Sequence, residues 1–177
     1  MKKFIIILVV TLAIAGLLIW FTKSQDAKYT QYKVGPVDEN LAEVGEAFEN
    51  QGQEHIKNGD PHPPYNSNPP TSGWHYVVPA SWGVYNRPLV DEQAVHNLEH
   101  GGIWISYKDI DEETKANLEK ITKANSNAII MSPREANDAK IVLVSWTRLM
   151  KLDIYDEAKI LDFIQRNKGK GPEKLVK

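Results

Sequence analysis

The chain contains no cysteine. That absence excludes disulfides, thiolate metal sites and a lipid anchor on an acylated cysteine, and it leaves methionine as the only soft metal ligand. A cysteine-free exported domain must be held by its core or by bound ligands. Basic runs are missing as well. Twenty-one Lys and Arg stand against 23 Asp and Glu, a formal charge of −2, and such a balance does not suit nucleic-acid binding. There are no internal repeats. Histidine is scarce, with five in 177 residues, so the places where it falls carry weight.

One long uncharged run is present. Phe4 to Phe21 holds 18 apolar or small residues behind Lys2 and Lys3, about the minimum that spans a bilayer's hydrocarbon core. The preceding lysines orient it with its N-terminal side in the cytoplasm. The expectation is a transmembrane signal anchor over residues 1–21, a linker over 22–36 and an extracytoplasmic domain over 37–177. A cleaved signal peptide is the competing reading, and Thr22-Lys23-Ser24-Gln25-Asp26 offers no small-x-small cleavage site.

The remaining residues suffice for one domain with a real core. Leu41, Val44 and Phe48 give Asp38 to Lys57 a weak helical period. Residues 59–73 hold five of the ten prolines and exclude helix or central strand. Flanking Tyr65, Trp74, Tyr76, Trp82 and Tyr85 point to an ordered loop rather than a disordered one. Ile103 to Tyr107, Ala128 to Met131 and Lys140 to Thr147 read as strands. Glu112 to Asn125 reads as a helix capped by Asp109 and Asp111, with Leu118 and Ile121 inward. Ile154 to about Asn167 reads as a last helix with Ala158, Leu161 and Ile164 inward, followed by a frayed tail. The fold class expected is α+β: a single small domain with about three core strands and flanking helices.

His96-Asn97-Leu98-Glu99-His100, followed by Gly101-Gly102, is the segment richest in chemistry. On a helical turn its two imidazoles share a face and can grip one ion; on a strand they would stand about 13 Å apart. Chelation therefore requires a helical turn here, which the glycine pair then stops. Glu99, between them, is either an outer partner that orients an imidazole or a general base for a metal-bound water.

Tyr65-Asn66-Ser67-Asn68-Pro69-Pro70-Thr71-Ser72-Gly73-x-His75 followed by His96-Asn97-Leu98-Glu99-His100-Gly101 resembles the signature of a prokaryotic family of unknown function whose members are short, membrane-anchored and exported. The resemblance runs from about Gly52 to the end and includes Gly52-x-x-His55, Ser132-Pro133-Arg134 and Val144-Ser145-Trp146. It implies no activity. It does single out His55, His75, His96 and His100 over His62, and it leaves Met131 at a position that takes an apolar or sulfur residue.

The expected function is a membrane-anchored extracytoplasmic metal-binding protein acting as carrier, sensor or redox module. The candidate ligands are His75, His96, His100, His55 and Met131. Imidazole suits zinc and copper alike, and the thioether of Met131 tips the choice to copper over zinc. A bis-histidine haem lacks an attachment motif. Two alternatives stand beside this reading. One is a zinc hydrolase built on the H-x-x-E-H pattern, with Glu99 as its catalytic residue and Glu173 as the distant ligand candidate. The other is a metal-free surface module that uses the Pro/aromatic loop. The membrane and a metal ion are the expected partners, nucleic acid is not, and no protein partner is indicated.

Overall fold

The computed structural model describes residues 11–20 and 29–176. Residues 11–20 form helix α1; the rest of the expected anchor, 1–10 and 21, lies outside the described residues. Among the described residues no helix is long and apolar enough to cross a membrane.

The domain is α+β, and its main sheet has six strands rather than three. In chain order the elements are β1 (Glu46–Ala47), β2 (His55–Ile56), β3 (His75–Tyr76), β4 (Gly83–Val84), α2 (Asp91–Glu99), β5 (Ile103–Tyr107), α3 (Glu112–Ala124), β6 (Ile129–Pro133), β7 (Ile141–Ser145), β8 (Arg148–Leu152) and α4 (Glu157–Asn167). The sheet order is β1-β8-β7-β5-β6-β4, and β2 and β3 form a separate two-stranded parallel ladder. The expected strands are β5, β6 and β7. β8 had been overlooked because the strand expected over 140–147 turns back on itself: Thr147 takes a left-handed backbone, φ 59°, and β8 pairs antiparallel with β7. The two-residue strands β1 and β4 are too short to leave a period in sequence.

Side chains alternate across the sheet as strand geometry requires. Ile103, Ile105, Met131, Ile141 and Leu143 point to one face, where Leu118 and Ile121 of α3 and Ile160, Phe163 and Ile164 of α4 cover them. Trp104, Ile130, Val142 and Val144 point to the other, against Ala94, Val95 and Leu98 of α2. In α3, Asp111 caps the N-terminus by accepting from Thr114 N–H. α4 starts later than expected, capped by Asp156 through Lys159 N–H. Its inward face is Ile160, Phe163 and Ile164, with Ala158 exposed and Leu161 half-buried.

No helix forms over Asp38–Lys57. Gly45 sits at φ 97° and Gly52 at φ 89°, conformations open to glycine and closed to a right-handed helix. The backbone there is satisfied by distant side chains instead: Val44 N–H donates to Asn167 Oδ1 and Gln51 N–H to Ser72 Oγ. The stretch read as a linker also meets the domain: Tyr32 is buried, Val34 N–H donates to Asn125 Oδ1 and Lys168 Nζ to the Gly35 carbonyl.

Leu98 is fully buried between α2 and the sheet, whereas Ile154 is 82% exposed. Leu98→Ala should lower unfolding stability by about 2–5 kcal/mol, and Ile154→Ala should shift it by no more than about 0.5 kcal/mol. Chemical denaturation of the two variants checks the contrast.

Candidate metal centre

Three separate segments bring their histidines to one point. The parallel ladder aligns His55 with His75, so the rings lie side by side with centroids 4.7 Å apart. The ladder is two residues long and needs outside support, which the proline-rich loop gives. Pro69 to Gly73 are buried. Tyr65 Oη donates to the Trp74 carbonyl at 2.7 Å, Gly73 N–H donates to the Gly52 carbonyl, and Thr147 N–H donates to that of Thr71. Gly73 adopts φ 118°, and a Cβ there would come within 3.1 Å of the Tyr65 ring. Arg134 pairs with Asp91 at the start of α2 and also donates to Asn68 Oδ1, tying loop to helix.

α2 supplies the third segment. Asn97 clamps it to the chain after β3 by accepting from Ala80 N–H and donating to the Ala80 carbonyl, both at 2.9 Å. The helix ends at His100, and Gly101 follows at φ 82°, the left-handed stop expected of a C-terminal glycine. His96 and Glu99, three residues apart on α2, thereby face His55 and His75.

One donor atom from each of His55, His75, His96 and Glu99 lies within 4.8 Å of all the others, a grouping that can hold a metal ion. Glu99 Oε2 is 3.1 Å from His75 Nε2, 3.5 Å from His55 Nε2 and 4.0 Å from His96 Nε2. Ligands around a tetrahedral zinc at 2.0–2.1 Å stand roughly 3.4 Å apart, so these separations bracket that spacing. The His75 and Glu99 side chains are 0% and 1% exposed, while His55 is 40% exposed and forms the open edge.

Ring tautomers follow from the backbone. His75 Nδ1 is 2.8 Å from the Gly73 carbonyl and His96 Nδ1 is 2.6 Å from that of Tyr76. A carbonyl only accepts, so both Nδ1 atoms carry the proton, and in the neutral rings both Nε2 atoms present lone pairs. This is the outer-partner pattern that orients metal-ligating histidines. Burial pushes the pKa of His75 and of His96 below the ordinary imidazole value and favours the neutral rings. Burial, with the nearby Glu173 charge, pushes Glu99 above the usual carboxylate range. An ionised Glu99 beside neutral rings is therefore uncomfortable without a cation.

The expected ligands divide. His55, His75 and His96 meet in one group. His100 stands beside it in a second group with Glu99 and Glu173, its Nε2 3.0 Å from that of His96. Met131 lies elsewhere: it is fully buried on the α3/α4 face of the sheet among aliphatic and aromatic side chains, whereas α2 packs on the opposite face. Its strand register, not its distance along the chain, decides this. His62 bonds Glu92 at 3.1 Å, outside both groups. Glu99, read from its place between two histidines as an outer partner or base, lies inside the donor set. The i, i+3 spacing His96–Glu99 carried that signal.

The tail is not frayed. Glu173 N–H donates to the Glu99 carbonyl and Val176 N–H to that of His100, which satisfies carbonyls left open at the helix end and sets Glu173 Oε2 3.2 Å from His100 Nε2.

Residues 57–177 match the family described as "Protein of unknown function (DUF3105)". The chain belongs to that family. No curated protein and no solved structure matches it. The DUF3105 match spans His75, His96, Glu99, His100 and Glu173, and His55 lies two residues ahead of it.

In the metal-free protein, His75 and His96 should titrate below the ordinary imidazole value of about 6.5. Between the folded and unfolded values the unfolded chain binds more protons, so their contribution to stability is present above about pH 6.5 and is lost as pH falls through the folded values. Glu99 has the opposite sign: its contribution is lost as pH rises from about 4.3 through its raised folded value. Imidazole ¹⁵N chemical shifts followed against pH check the histidines; midpoints at or above 6.5 would contradict the burial argument.

Proposed function

We propose that this protein is an exported, membrane-anchored metal-binding protein whose centre, His55, His75, His96 and Glu99, takes one divalent transition ion. The observation that carries the reading is the approach of the His75 Nε2 lone pair to Glu99 Oε2 at 3.1 Å in a dry position. With the ring neutral and Glu99 ionised, two acceptors face each other at that distance. In the metal-free centre a proton held on Glu99, whose pKa burial raises, relieves the contact, and a metal cation replaces that proton. A metal cation meets all four donors at once.

Zinc is the ion this donor set fits best. Three imidazoles and a carboxylate are borderline-to-hard ligands, and four protein donors at tetrahedral spacing describe a closed site. Copper was favoured for the sake of a thioether, and Met131 faces away from the site, so Cu(I) loses its support. Cu(II) remains a competitor in vitro, since it binds most nitrogen and oxygen sites more tightly than zinc.

A binding role is favoured over hydrolysis. Glu99 is engaged by His75 and is 1% exposed, the position of a ligand rather than of a base waiting beside a metal-bound water. The inner part of the loop, Pro69 to Gly73, is buried and serves to place His75, which favours the metal reading, while Pro61, Pro63, Pro64 and Asn66 are exposed. Export and anchoring rest on the charge-free run behind Lys2 and Lys3. The half-exposed His55 edge suits exchange of the ion with solvent or a donor, as a carrier or sensor needs.

Elemental analysis of the purified full chain should find about one zinc per chain in the buried centre. His75→Ala, His96→Ala and Glu99→Gln should each weaken zinc binding about 100-fold or more, beyond the loss typical of outer partners, while His62→Ala leaves it unchanged. Equal metal content in all four variants would sink the assignment. Zinc at 100 times its Kd adds about 2.7 kcal/mol, so chelator should lower Tm by about 5–10 °C. That difference should shrink below about pH 6.5, as protons compete for the imidazoles.

A further inference from the structure

We infer that His100 and Glu173, with Glu99 shared, form a second divalent-cation position beside the buried one, so that the centre takes two ions bridged by the Glu99 carboxylate. The inference rests on the metal reading of the first position and adds a site of different chemistry.

The first support is geometric. A donor atom from each of Glu99, His100 and Glu173 lies within 4.8 Å of the others, and Glu99 belongs to both groups. A carboxylate common to two donor sets is the arrangement that holds two ions about 3.5–4 Å apart. The second comes from His100. Its Nε2 has two neighbours, His96 Nε2 at 3.0 Å and Glu173 Oε2 at 3.2 Å. His96 donates through Nδ1 to the Tyr76 carbonyl, so its Nε2 lone pair is the one the first ion takes. Once that lone pair is occupied, His100 retains only the carboxylate side.

The third support is the way the chain delivers Glu173. The tail does not pass the site by chance: its amides bond the carbonyls of Glu99 and His100, two members of the second group. Gly169 N–H also donates to the Gly101 carbonyl. The backbone of Leu98, Glu99 and Gly101 occupies the space a Cβ on Gly171 would need. Lys174 pairs with Glu39 at 2.7 Å and fixes the other side of the tail. Glu173 is thus held against the ligand helix by main-chain bonds while its side chain is 45% exposed.

The two positions differ in hardness. The first offers three nitrogens and one oxygen and suits zinc; the second offers one nitrogen and two oxygens and suits a harder ion such as Mn²⁺. Partial exposure of His100 and Glu173 makes the second the weaker and more exchangeable of the two.

The test loads the full chain with one equivalent of Zn²⁺ and titrates it with Mn²⁺, following free Mn²⁺ by its room-temperature EPR signal. The expected result is one further equivalent of Mn²⁺ bound to the zinc-loaded wild type. Glu173→Gln and His100→Gln should weaken it about 10-fold or more while each keeps its single zinc, which also shows that the variants fold. Zinc bound without any Mn²⁺ uptake would overturn the second position alone, as would Mn²⁺ binding unchanged in both variants. A chain that takes up no zinc would overturn the first position and with it the second.

Discussion

A neutral imidazole nitrogen and a carboxylate oxygen 3.1 Å apart, both out of reach of water, repel one another until a proton on Glu99 or a metal cation enters between them. The contact between His75 and Glu99 is the constraint on which the rest of this structure turns. Each could in principle find a better partner by rotating away. Neither does, because His75 is bonded to the Gly73 carbonyl through its other nitrogen and Glu99 sits on the last turn of a helix whose neighbours Leu98 and Asn97 are locked in the core. The surroundings over-determine an arrangement that, when empty, is unfavourable for an ionised Glu99. Such frustration, held by well-packed elements, is the usual mark of a functional position.

The fold explains how three distant segments are held to one point. The β2–β3 ladder sets His55 and His75 in register, and α2 presents His96 and Glu99 from the opposite side. A cross-brace runs between them: Arg134, from the end of the β6 segment, reaches both Asp91 at the head of α2 and Asn68 in the loop. The strand face that carries Trp104 and Val144 supports α2, and the strand face that carries Met131 supports α3 and α4. Each side of the sheet thus carries its own apolar core, and the candidate centre lies on the α2 side.

Much of this was legible in the sequence and some was not, for reasons that differ by element. β5, β6, β7 and α3 are announced by strong apolar periods and by the Asp111 cap. The short strands β1 and β4 carry no period, and β8 hides behind a left-handed Thr147. The helix expected over Asp38–Lys57 rests on three apolar residues and an acidic first turn, and Gly52 signals only where it frays; the positive φ of Gly45 and Gly52, which breaks the helix, is not written in the sequence. The helical turn at His96–His100 follows from the glycine pair that ends it. That His96 would work with Glu99 rather than with His100 could not be read from the turn alone, since i+3 and i+4 both share its face. Met131 was misjudged because closeness along the chain says nothing of which side of a sheet a residue faces, and a shift by one residue reverses that side.

For a cysteine-free chain the proposed ion would have a structural consequence as well as a chemical one. His55, His75 and His96 are spaced at about 20-residue intervals, and a single ion held by all three would close both intervals at once, the task that disulfides perform in small exported domains. Such an ion would also remove the penalty on an ionised, buried Glu99, so that binding and folding would draw on the same free energy. Because the tail bonds the backbone of Glu99 and His100, stiffening the ligand helix stiffens the docking of residues 169–176 too. Loss of the proposed ion should then be felt in that tail as well as at the ligands, because main-chain hydrogen bonds join the two.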